Sequence, residues 1–73
     1  MYGSRLRSAR KSANLTLQQV AEKMNTTHAT ISRYENEKNK PDPDTLAALC
    51  KLYKVSANYI LGLSKDLPHP EED

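Results

Sequence analysis

His28, Thr30 and Arg33 lie within a stretch of six residues, and each ends in a group that matches the edge of a base pair. An arginine fork can donate two bonds to guanine O6 and N7 in the major groove of a duplex. A threonine can touch a thymine methyl or accept a bond, and a histidine can donate or accept at a base edge. Thr27 stands just before them, where a helix can begin and its first N–H groups can meet a phosphate. Other chemistry finds little material. The chain has two histidines, His28 and His69, and one cysteine, Cys50. That excludes an internal disulfide framework and a cysteine-based zinc site. No Gly-rich phosphate loop, carboxylate dyad or metal-ligand cluster stands out. The expectation is a protein without catalytic residues, metal or cofactor.

The charge pattern suits a polyanion. Residues 1–65 hold all 11 Lys and Arg and five acids (Glu22, Glu35, Glu37, Asp42, Asp44), a balance of +6. Residues 66–73 hold four acids and no base, a balance of −4. A basic body of this kind fits nucleic acid, although a solvated charged surface would carry the same numbers. No apolar run approaches the ~20 residues that cross a bilayer. The first residues lack the apolar core of a signal peptide. With a lone cysteine, this fits a reducing cytoplasm and no membrane.

These residues need a scaffold, and the pattern is helical throughout. With 73 residues there is room for one domain, expected over 1–63. The first helix is expected from about Gly3 to Ala13, with Leu6, Ala9, Arg10 and Ala13 on one face. Arg10 points inward there, which is costly unless it is paired. Arg5, Arg7 and Lys11 point elsewhere. Asn14 suits a left-handed exit. Thr16 and Gln19 form a capping box, with Leu15 as a hydrophobic staple, for a second helix from about Leu17 to Met24. Asn25 suits the turn that ends it. Thr27 caps a third helix from about His28 to Glu35. Ile31 and Tyr34 face its core side, and His28, Ala29, Ser32 and Arg33 lie outside. A polar loop follows over 36–40. Asp42 caps a fourth helix with Pro43 at its first position. Leu46, Leu49, Cys50 and Tyr53 form its apolar stripe, with Cys50 as a small core residue. Ser56 caps a short fifth helix through about Leu61, ended by Gly62. Residues 64–73, with Pro68, Pro70 and the acidic end, are expected as a linker or tail.

Two short helices joined by a tight turn, the second opening with small polar residues, make a helix-turn-helix arrangement. The stretch Leu15-Thr16-Leu17-Gln18-Gln19-Val20-Ala21-Glu22-Lys23-Met24 resembles the first motif helix of the phage repressor and Cro family, also called the xenobiotic-response-element family. Thr30-Ile31-Ser32-Arg33-Tyr34-Glu35 resembles its recognition helix. Lys38-Asn39-Lys40-Pro41-Asp42-Pro43-Asp44-Thr45-Leu46 resembles the following loop and fourth helix. Tyr53-Lys54-Val55-Ser56 through Tyr59-Ile60-Leu61-Gly62 resembles the family's ending. The likeness covers about residues 4–62.

The resemblance implies an all-α, lambda-repressor-like five-helix bundle that reads double-stranded DNA. It implies base contacts from His28, Ala29, Thr30 and Arg33. Backbone contacts are expected from Gln18, Thr27, Ser32, Asn36, Lys38 and Lys40. Arg10 and Glu35 match a pair that forms an internal salt bridge in some members. Leu17 stands where the family often has a phosphate-binding or base-binding Gln. Asn25 and Glu37 stand where it often has Gly. The implied function is a phage or mobile-element repressor, a homodimer on a palindromic operator, in the nucleoid-associated pool of a bacterial or phage-infected cell. A further C-terminal domain or a protein partner is an open expectation. Two rival readings accompany it: an antitoxin or accessory regulator acting partly through a protein partner, and an interaction module that kept the fold and lost DNA binding.

Overall fold

A computed structural model describes residues 2–63. The expected acidic linker or tail over 64–73 lies outside the described residues. Five helices are present among the described residues: α1 Tyr2–Ser12, α2 Leu17–Lys23, α3 His28–Glu35, α4 Pro43–Tyr53 and α5 Ala57–Ile60. The fold is all-α, and α1 packs against α3, α4 and α5, while α2 packs against α3. Leu6, Ala9, Val20, Ala21, Ile31, Leu49, Cys50, Tyr53, Tyr59 and Ile60 form the core. With no Trp or Phe in the chain, Tyr53 and Tyr59 supply the buried aromatic rings of the core.

Local chemistry sets where each helix starts. The Thr16 hydroxyl accepts from the Gln19 N–H, and the Gln19 side chain accepts from the Thr16 N–H, so the capping box is complete. Thr27 and Ser56 cap α3 and α5 in the same manner through Thr30 N–H and Tyr59 N–H. Asp42 differs from the expectation. It stands at the N-cap of α4, but its carboxylate accepts from the Thr45 hydroxyl and caps no backbone N–H. That bond holds the Asp42 carboxyl below its usual pKa range. Some boundaries shift by one residue as well, with α5 ending at Ile60 and Leu61 as its C-cap. α1 begins at Tyr2 and ends at Ser12, one residue earlier than expected at each end, and Met24 closes α2 from the C-cap.

All five helices end on one device. A left-handed residue follows each: Asn14, Asn25, Glu37, Lys54 and Gly62, with φ of 60°, 59°, 62°, 59° and 84°. The next N–H then reaches back to a carbonyl of the last turn. Leu15 donates to Arg10, Thr26 to Ala21, Lys38 to Arg33, Val55 to Cys50 and Leu63 to Asn58, at 2.7–3.2 Å. This is the Schellman arrangement, which satisfies carbonyls that a helix end would otherwise leave open. It also turns the chain sharply, so five short helices can enclose one core.

Two contacts fix α1 in place. Gly3 lies against the end of α3, where an added Cβ would stand 2.6 Å from the Glu35 carbonyl oxygen and 2.6 Å from Glu37 Cγ. Only glycine allows that approach. At the other contact the Arg5 guanidinium lies 5.0 Å from the Tyr59 ring centre and donates to the Tyr59 carbonyl at 3.2 Å, joining α1 to α5.

Candidate nucleic-acid interface

α2 and α3 are joined by the four residues Met24–Thr27, with Asn25 left-handed in the turn. Val20, Ala21 and Ile31 are buried, and they hold the two helices together. The opposite face of α3 is open. His28, Ala29 and Arg33 are exposed along it. Thr30 is half-buried, and its hydroxyl lies 3.0 Å from that of Thr27. Thr27 Oγ1 also accepts from the Thr30 N–H at 3.3 Å. The hydroxyl is thus engaged in the cap, and the Thr30 methyl is what it most readily offers to a base. The N–H groups of His28 and Ala29 open the helix, where no intrahelical acceptor exists.

The expected backbone-contacting residues occupy the flanks. Thr27 caps α3 and is exposed. Lys38 and Lys40 are exposed in the loop after α3. Gln18 is exposed at the start of α2, with its Nε2 donating to Glu22 at 3.3 Å. Asn36 is exposed at the end of α3, and its Nδ2 donates to Ser32 Oγ at 3.1 Å. Ser32 is half-buried. Leu17 is half-buried against the core, so it acts in packing.

Behind this face lies a buried ion pair. Arg10 Nε donates to Glu35 Oε2 at 2.6 Å, and Arg10 Nη2 donates to Glu35 Oε1 at 3.1 Å. The Glu35 side chain is 2% exposed and that of Arg10 10%. Arg10 Nη1 donates to the Leu15 carbonyl at 2.9 Å, while the Leu15 N–H donates to the Arg10 carbonyl. One side chain thus ties α1, the α1–α2 turn and α3 together. The bond to Glu35 raises the Arg10 pKa further, so its charge is permanent. Tyr53 lies beside the pair; burial, and after it the Glu35 charge, push its phenol above the usual range.

Sequence reasoning missed one member of this group. Arg7 Nε lies 3.5 Å from Glu35 Oε1, and Arg7 Nη2 donates to Asn36 Oδ1 at 3.3 Å. Its partners are 28 and 29 residues away in the chain, so no local spacing marks it. Among the described residues no group of His, Cys, Asp and Glu could hold a metal ion, and no helix is long and apolar enough to cross a membrane.

Two short helices packed together across a tight turn, with an exposed polar face on the second, define a helix-turn-helix protein. The chain belongs to the helix-turn-helix family, whose model matches residues 6–60. It is 46% identical over 71 residues to the uncharacterized HTH-type transcriptional regulator YobD of Bacillus subtilis, covering 97% of this chain and 62% of that protein. It is 45% identical over 60 residues to the HTH-type transcriptional regulator ImmR of the same organism, covering 82% and 47%. A third Bacillus relative, the uncharacterized HTH-type transcriptional regulator YqaE, is 33% identical over 61 residues, covering 84% and 53%. The chain spans less than two thirds of each of these relatives. Their names describe regulators of transcription, not enzymes.

Proposed function

We propose that the chain binds double-stranded DNA in a sequence-specific manner and regulates transcription as a repressor of phage or mobile-element type. The observation that carries this reading is the exposed row His28, Ala29 and Arg33 on α3, backed by a buried ion pair that ties the helix to α1. α3 enters the major groove and α2 lies across the backbone. Arg33 reads guanine, and His28, Ala29 and the Thr30 methyl contact neighbouring base edges. Gln18, Thr27, Ser32, Asn36, Lys38 and Lys40 contact the sugar-phosphate backbone. One such helix reaches few base pairs, so the operator is a palindrome bound by a homodimer, and repression follows from occluding polymerase.

Selection from a random duplex pool, followed by titration at two salt concentrations, tests this. The expected result is an enriched palindrome bound with steep salt dependence. Salt-dependent binding without enrichment would remove the sequence-reading function. Absence of duplex binding at low salt would remove the proposal altogether.

A further inference from the structure

We infer that Arg7, on α1, is a phosphate-binding residue that extends the DNA-backbone contact from α3 onto α1; this rests on the DNA-binding reading above. The argument begins with charge. Glu35 takes both of its strong hydrogen bonds from Arg10, in a two-point contact that neutralises it. Arg7 approaches the same carboxylate from outside, at 3.5 Å. The cluster Arg7–Arg10–Glu35 therefore carries one positive charge in excess. That excess resides on Arg7, whose side chain is 49% exposed while Arg10 and Glu35 are buried. A structural ion pair would need no second arginine.

The geometry then aims the charge. Arg7 uses Nε toward Glu35 and Nη2 toward Asn36 Oδ1. The two N–H groups of Nη1 are not used by these contacts. A guanidinium only donates, so Asn36 must turn its oxygen to Arg7 and its nitrogen away. Asn36 Nδ2 gives one hydrogen to Ser32 Oγ and has a second to offer. The bond between Arg7 and Asn36 thus brings together donors from α1 and from the C-cap of α3, at the exposed end of that helix. A phosphate oxygen of the duplex backbone fits such a set, and its negative charge meets the excess positive one. Lys38, two residues beyond Asn36, is exposed and is one of the backbone contacts in the reading above.

The test separates charge from positioning. Arg7→Gln keeps an N–H donor for Asn36 and removes the charge; Arg7→Lys keeps the charge and loses the fork. Affinity of the full chain for its selected duplex and for a random duplex is measured across a salt series, with circular dichroism at the assay temperature to verify folding. The expected result is that Arg7→Gln lowers affinity for both duplexes alike and flattens the plot of log affinity against log salt by about one unit. Arg7→Lys should retain the wild-type slope. An unchanged slope in a folded Arg7→Gln chain would overturn the inference and leave Arg7 a positioning residue for Asn36. If Arg7→Gln does not fold, a flattened slope in Arg7→Lys overturns it instead. Failure of the underlying reading is visible separately, as absence of salt-dependent duplex binding by the unaltered chain, and that outcome would overturn both.

Discussion

The two faces of α3 are built from the same eight residues and serve opposite purposes. The inward face presents Ile31 and Glu35, which are 2% and 6% exposed, and among the described residues no buried side-chain polar atom there or elsewhere lacks a partner. The outward face presents His28, Ala29 and Arg33, which extend into solvent. The inward face has a charge that cannot be left alone; the outward face has charge and hydrogen-bonding groups held in readiness. The lesson is a division of labour within one helix. The buried Arg10–Glu35 pair anchors α3 to α1, and the proposed base-reading groups stand on residues that are exposed.

That division can be broken by substitution. Glu35→Gln should have the largest effect on the fold, because Arg10 then faces Arg7 with no anion between them. A loss of about 3–5 kcal/mol is expected, read as a strongly lowered melting temperature. Arg10→Met should cost less, since Arg7 is still there to meet Glu35. A Glu35→Gln melt no lower than that of Arg10→Met would contradict this asymmetry.

Gly3→Ala comes next. The new Cβ would stand 2.6 Å from the Glu35 carbonyl, a backbone atom that cannot step aside, so α1 must lift from α3. The expected loss is about 1–3 kcal/mol in a denaturant titration. Unaltered stability would show that the α1–α3 approach is less tight than described.

Arg33→Ala should have the smallest effect on stability, within about 0.5 kcal/mol, because the side chain is exposed. Its cost should fall on DNA: about 1–3 kcal/mol at the selected operator, with preference relaxed at one base pair. Equal losses on operator and random duplex would remove the base-reading role. A large fall in melting temperature would show that the outward face also supports the fold.

How much of this was legible in the sequence depends on whether the signal was local. The caps at Thr16, Thr27 and Ser56 follow from side chains three residues from the N–H groups they meet, and their residue types announce them. The left-handed turns at Asn14, Asn25 and Gly62 occupy residue types that tolerate positive φ. The same turns at Glu37 and Lys54 have no such mark in their residue types, since neither favours that conformation; the local helix-end bonds from Lys38 and Val55 accompany it there. Asp42 has the right type for a cap, yet the nearby Thr45 hydroxyl takes its carboxylate instead. Arg10 was readable as an inward charge from periodicity. Arg7 was not, since its partners Glu35 and Asn36 lie on another helix and only the folded chain brings them near. Gly3 was readable as part of a helix, but nothing local shows that its missing side chain is what lets α3 approach.

Cys50 carries one more consequence. It lies 7% exposed on α4 within the core, and burial pushes its thiol above the usual pKa. The reactive form of cysteine is the thiolate, so the folded chain withholds it twice, by cover and by protonation. A thiol reagent must therefore wait until α4 lifts from its neighbours. Since the chain holds a single cysteine, its labelling rate is a built-in clock for that opening, and no added probe is required.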